Sequence, residues 1–328
     1  MNIEEAYRNE RSSWKSTTSC KVLDPDINIT KVTEGEVDGE YILKSVWIEK
    51  WGIVITYGLE NYNIISVTNN TIKPIANVTK PDEFENKAVF LFHFLDKVIC
   101  SSGFDLYYFD GIEKALKDPN ATVELKLWTT LPSNSQLEED SLVKLISNGL
   151  NNIVIIDVND YYVYIYDNST EKFSLRPNKH AQSQLTMSKD GSIMGFFTDA
   201  IRDGNDIFLL NNALGVVHIE NFHPELDVPA IIRQYQIGFS DDLIEFISVS
   251  KHKHVFEIVF LYQQESYVVE MYLNVEGNSR ELVVNRFYDK MNDVSNIEFM
   301  DKELFMFGRE EVQIFGIGIN RHALNQYG

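Results

Sequence analysis

Apolar residues along this chain come in short bursts separated by Gly-, Asn- and Asp-containing turns. The bursts recur in one order, strand, tight turn, strand, turn, strand, which predicts repeated antiparallel units. Six copies can be laid out. The first takes Leu43–Lys50, Gly52–Gly58, Tyr62–Val67 and Thr71–Ala76 as its four strands. The second takes Ala88–Leu95, Lys97–Gly103, Asp105–Phe109 and Thr122–Trp128, with a short helix over Gly111–Lys117 before its last strand. The third takes Leu142–Ser147, Asn152–Ile156, Tyr161–Tyr166 and Lys172–Leu175. Its turn residues tolerate positive φ and close hairpins.

The fourth copy opens on Leu185–Met194, where Asp190-Gly191 punctuates two strands, and continues through Asp206–Leu210 and Gly215–Ile219. A fifth uses Leu243–Val249, Val255–Leu261, Tyr267–Leu273 and Glu281–Asn285, and a sixth Ser295–Met300, Glu303–Phe307 and Val312–Ile317. The sixth lacks a fourth strand, which Cys20–Leu23 or Ile27–Val32 could supply from the other end of the chain. Such a join would close a ring and hide the edge strands of its first and last units, which otherwise template aggregation. Val228–Gly238 is unassigned and could belong to a seventh, incomplete unit. The expected fold is all-β, a single β-propeller of six or seven four-stranded blades. Residues 1–40 form an N-terminal extension with the ring-closing strand, 41–319 the propeller and 320–328 a tail.

Ser188-Lys-Asp190-Gly191, at the end of one strand and before another, resembles the first hairpin of WD-repeat and related propeller blades. The strand order over residues 40–317 is similar to that of the N-terminal propellers of nucleoporins and vacuolar tethering-complex subunits. The chain departs from the WD pattern, since its four tryptophans read Trp14-Lys, Trp47-Ile, Trp51-Gly and Trp128-Thr, and no Gly-His pair precedes a first strand. The resemblance implies a non-catalytic interaction scaffold, a subunit of a larger assembly of trafficking, tethering or nuclear-pore type.

Composition supports the strand reading. The chain has 328 residues, 44% of them hydrophobic, enough for a large core, and its 20 Phe and 16 Tyr favour strands. Lys and Arg number 29 against 49 Asp and Glu, a net charge of −20. That balance repels a phosphate backbone, so nucleic acid is not expected as a direct partner. Met1-Asn-Ile-Glu-Glu-Ala6 has neither a basic start nor an apolar stretch, and no apolar run approaches the ~20 residues that span a bilayer. The expectation is a cytoplasmic protein, with a nuclear or nuclear-pore location as the alternative, and only indirect membrane association. Cys20 and Cys100 have no metal-ligand spacing, and the N-x-S/T matches at Asn28, Asn69, Asn77, Asn120 and Asn168 are read as unglycosylated.

Candidate chemistry reduces to a few clusters. His252 and His254 share one face of a strand, but two imidazoles make no metal site, and Lys251 and Lys253 suggest an exposed hairpin. Glu138-Glu139-Asp140 reads as a solvated loop between blades, and Asp157-Val-Asn-Asp160 as a hairpin turn. Ser188–Gly191 reads as a β-turn. Tyr161, Tyr162, Tyr164 and Tyr166 put rings on both faces of one strand, in core packing or at an interface. No GxGxxG, P-loop, HExxH or GxSxG occurs. No catalytic, cofactor-binding or metal-ligating residue is therefore assigned, and no cofactor. The expected partners are other proteins. The alternative is a propeller enzyme acting on a carbohydrate-like ligand, which would need paired carboxylates converging in the central channel.

Overall fold

The computed structural model describes residues 29–36, 44–58, 60–68, 71–84, 87–176, 195–212, 215–224, 231–235, 244–252, 255–262, 265–276, 279–287, 296–300, 303–307 and 311–317. The described residues form an all-β, propeller-like arrangement of four-stranded antiparallel sheets. Strand β1 (Ile29–Glu36) comes first in the chain. The first sheet follows with β2 (Lys44–Ile48), β3 (Ile53–Tyr57), β4 (Asn61–Thr68) and β5 (Thr71–Thr79). The second holds β6 (Val89–Phe94), β7 (Lys97–Ser102), β8 (Asp105–Asp110) and β9 (Glu124–Thr130), and the third β10 (Leu142–Ser147), β11 (Asn152–Asp157), β12 (Tyr161–Asp167) and β13 (Lys172–Arg176). The fourth holds β14 (Phe197–Asp203), β15 (Asp206–Asn211), β16 (Gly215–Glu220) and β17 (Ile231–Tyr235). The fifth holds β18 (Ile244–His252), β19 (Val255–Tyr262), β20 (Glu265–Glu276) and β21 (Ser279–Phe287). The last joins β22 (Asn296–Met300), β23 (Glu303–Phe307) and β24 (Glu311–Ile317) to β1. Pairing thus groups the strands into six sheets, of which the first four are described through most of their side chains.

Two expectations need correction. The first strand of the fourth sheet is Phe197–Asp203 rather than Leu185–Met194, which lies outside the described residues. Val228–Gly238 carries β17, which pairs with β16 from Val216↔Tyr235 to Glu220↔Ile231 and so completes the fourth sheet instead of belonging to a seventh. Both errors have one source. Asp199 and Arg202 interrupt the apolar pattern of β14, and Arg233 and Gln234 that of β17, so periodicity passed over them. The helix expected near Gly111 is α1 (Ile112–Ala115), between β8 and β9. Gly111 takes a left-handed φ of 95°, and a Cβ there would sit 2.5 Å from the Thr122 carbonyl oxygen.

Burial explains why the second strands of the first four sheets read as mainly apolar runs. All of β3 and β11 is buried, and β7 and β15 are buried from their second residue onward. A strand covered by neighbouring sheets on both faces has no solvent side to alternate with. The outermost β9 and β13 alternate with mostly exposed residues. Apolar clusters fill the spaces between consecutive sheets. Ile55, Tyr62 and Ile64 meet Val98, Cys100 and Phe109 between the first and second, and Phe92, Phe94 and Ile99 meet Ile153, Tyr164 and Phe173 between the second and third. Ile156, Tyr161 and Val163 meet Phe197, Leu209 and Val217 between the third and fourth. Each such side chain contributes about 1.5–3 kcal/mol when fully buried.

The turns joining first to second strands link sheet to sheet. Lys50 Nζ stands 3.8 Å from Asp96, Leu95 N donates to Gly149 O at 2.9 Å, and Ser147 Oγ donates to His93 O at 2.8 Å. Arg202 Nη1 donates to Asn152 Oδ1 at 2.6 Å, and the Lys251 ammonium pairs with Asp203. The buried and part-buried bonds among these tie the second to fifth sheets to one another at one end of their first strands, while the exposed Lys50–Asp96 pair adds little.

Candidate functional site

At the opposite end, where first strands begin, three consecutive sheets repeat one irregularity. The register of β10 on β11 skips between Leu142 and Lys144, that of β14 on β15 between Phe197 and Asp199, and that of β18 on β19 between Phe246 and Ser248. Each skip is a β-bulge, an extra residue that leaves the ladder and re-aims its side chain. The bulged residues are Val143, Thr198 and Ile247, and all three line one open depression of about 450 Å³. Ala88, Leu142, Val158 and Phe196 add to a mostly apolar lining. Phe196 is 45% exposed.

The residue after each bulge is polar: Lys144, Asp199 and Ser248. Lys144 Nζ lies 2.7 Å from Asp199 Oδ1, and Val249 N donates to Asp199 Oδ2 at 2.9 Å. One carboxylate, 1% exposed, therefore ties the first strands of the third, fourth and fifth sheets together. The Val158 peptide adds a second tie, its N–H donating to Ser141 O at 3.0 Å and its carbonyl accepting from Phe197 N at 2.9 Å. Among the described residues no group of three or more His, Cys, Asp or Glu side chains could hold a metal ion.

Glu139–Ser141 forms a 3-10 turn immediately before β10, so Glu138, Glu139 and Asp140 lead directly into Leu142, a lining residue of the depression. Glu138 and Asp140 are exposed and Glu139 half-buried. The Glu139 carboxyl lies over the β7–β8 turn, where a Cβ on Gly103 would come within 2.6 Å of it. Asp157 closes the β11–β12 turn. Its Oδ1 accepts the Asn159 and Asp160 backbone N–H groups at 2.7 and 2.5 Å, while burial raises its carboxyl above the usual range.

The tyrosines of β12 divide between two inter-sheet cores. Tyr164 and Tyr166 pack toward the second sheet, the Tyr164 hydroxyl donating to Pro132 O at 3.2 Å, and Tyr161 packs toward the fourth. Tyr162 stays partly exposed, with its hydroxyl 3.4 Å from Gln136 O. His252 ends β18 opposite Val255, whereas His254, Lys253, Cys20 and Ser188–Gly191 lie outside the described residues. Lys251 is not the exposed hairpin cation expected. Its side chain is 6% exposed, because the ammonium pairs with Asp203 and lies 5.0 and 5.7 Å from the Phe208 and Phe256 ring centroids. Sequence reasoning missed the bulged residues and the Lys144–Asp199 pair. The available signal was a polar residue at one position of Leu142-Val-Lys, Phe197-Thr-Asp and Phe246-Ile-Ser, legible only once β14 is placed correctly.

Cys100 is buried between the first two sheets, its Sγ 3.0 Å from the Tyr62 hydroxyl. Burial pushes its thiol up to about 12, with the Tyr62 hydrogen bond pulling the other way. The thiolate is the reactive form. A Cys20→Ser variant should therefore titrate no thiol with an aromatic disulfide reagent in the native state near pH ~8, and one thiol after denaturation. Rapid native-state reaction would contradict this burial.

No helix among the described residues is long and apolar enough to cross a membrane. No family model matches the chain, and no curated protein does. Among solved structures the chain is similar to U3-55K, with a TM-score of 0.49, 9% identity and coverage of 88% of this chain and 98% of that one. It is similar to an extracellular domain assigned to a hybrid two component system of B. thetaiotaomicron, with TM-score 0.44, 12% identity and coverage of 83% and 32%. It is also similar to the computationally designed Ika8 protein, with TM-score 0.44, 9% identity and coverage of 86% and 98%. These likenesses bear on no functional reading of the chain.

Proposed function

We propose that this chain is a non-catalytic protein-interaction scaffold, a subunit of a larger intracellular assembly, which binds through the face where its first strands begin. The observation that carries the reading is the open, mostly apolar depression at the three bulges, with Phe196 held out into solvent. An open apolar surface on a rigid sheet edge suits a protein partner, which supplies apolar area to cover it. In this reading the six sheets close into one six-bladed ring. Supporting it, first strands touch in succession from β2 through β6, β10, β14 and β18 to β22, β22 touches β2, and β1 pairs with β24. An assembly of trafficking, tethering or nuclear-pore type, cytoplasmic or at the pore, follows from the strand-order resemblance.

Cross-linking of the full chain in its native cell, followed by mass spectrometry, tests the scaffold reading. Reproducible cross-links from residues 138–143 or 196–198 to other proteins are expected. Recovery of the chain only as a free monomer would overturn it.

A further inference from the structure

We propose that the apolar depression takes a cationic segment of a partner protein, one that carries a bulky apolar residue between lysines or arginines. The proposal rests on the scaffold reading and specifies the partner's chemistry. The apolar half of the recognition comes from Val143, Ile247 and Leu142 with Phe196. Phe196 is not a loose side chain on a loop. Its N–H donates to Asn212 Oδ1 at 2.8 Å and its carbonyl accepts from Asn212 N at 3.0 Å, so an ordered backbone holds the ring out. Ordering that is already in place lowers the entropic cost of binding an apolar residue against it.

The charged half comes from the acidic turn that leads into the lining residue Leu142. Glu138, Glu139 and Asp140 precede Leu142 directly, and no described lysine or arginine forms a salt bridge with them. Of the cations closest along the chain to lining residues, Lys144 is engaged by Asp199, which leaves Lys87 beside Ala88. The whole chain carries −20. That charge opposes a second copy of the chain, a nucleic acid or an anionic bilayer as occupant, and it steers a cationic segment toward the acidic turn.

The test uses the full chain and a fluorescein-labelled peptide in which one Phe and one Leu are flanked by arginines and lysines. Saturable binding is expected by anisotropy. It should weaken about tenfold in Phe196→Asp, and by a similar factor in the triple variant Glu138→Gln, Glu139→Gln, Asp140→Asn. Because all these side chains except that of Glu139 are exposed, both variants should keep the parental circular dichroism and melting curve. The proposal is overturned if the peptide fails to bind, if both variants bind as the parent does, or if a peptide with Ser in place of Phe and Leu binds equally. Native-cell cross-links that survive in both variants would sink this proposal while leaving the scaffold reading standing. Absence of any cross-linked partner would sink the scaffold reading itself.

Discussion

Deleting residues 1–36 is expected to destabilise the chain strongly and make it associate. Strand β1 pairs with β24 through seven partner positions, from Ile29↔Ile317 to Glu36↔Glu311. At a net ~0.5–1 kcal/mol per hydrogen bond, and about one bond per paired position, the ladder contributes on the order of 4–7 kcal/mol. Its loss would also bare the edge of β24, a row of unpaired N–H and C=O groups that templates pairing with another chain. The truncated chain should unfold at lower urea, and size-exclusion chromatography should show higher oligomers. A finer probe is Thr30→Pro, which removes a backbone N–H from β1 opposite Gly316 while leaving the rest of the chain intact. A synthetic peptide spanning residues 28–37, added to the truncated chain, should restore part of the loss. An unchanged urea midpoint with a monomeric elution profile would show that the β1–β24 ladder contributes little to stability.

Substitution of Lys144 should cost more than substitution of its partner. In Lys144→Met the Asp199 carboxylate, 1% exposed, keeps the Val249 N–H but loses the ammonium. Removing one member of a buried pair costs about 3–5 kcal/mol, and the lower end applies here because the Lys144 side chain is 25% exposed. In Asp199→Asn the amide oxygen can still accept from Val249 N, and the lysine can turn toward water, so about 1 kcal/mol is expected. The double variant should recover most of the Lys144→Met loss, since a neutral Asn beside Met leaves no stranded charge. Urea unfolding of the four proteins measures the coupling directly. Equal costs for the two single variants would mean that the pair is not what neutralises Asp199. Because the same carboxylate ties three first strands at the bulges, Lys144→Met should also weaken peptide binding at the depression.

Strand existence and order were legible wherever a strand is buried on both faces. Runs such as Asn152-Ile-Val-Ile-Ile-Asp157 stand out from their surroundings because every residue in them is buried. Legibility failed at β14 and β17, where polar side chains belong to the structure. Asp199 and Arg202 reach across to other sheets, to Lys144, Val249 and Asn152, and Arg233 holds Glu220 at 2.7 Å. A polar residue whose partner lies some fifty positions away looks, in one dimension, like a break in a strand.

By itself the amino-acid sequence determined the all-β class, the recurring four-strand rhythm, the acidic balance and the turn role of Asp157. All of these follow from local chemistry: side-chain alternation, turn propensity and summed charge. Only the tertiary structure decided which end strand joins which sheet, that Lys251 is buried under two rings, and that Val143, Thr198 and Ile247 leave their ladders together. Those outcomes depend on register and on contacts between sheets. A one-residue bulge moves a side chain from a packed face to an open one without changing the residue that carries it.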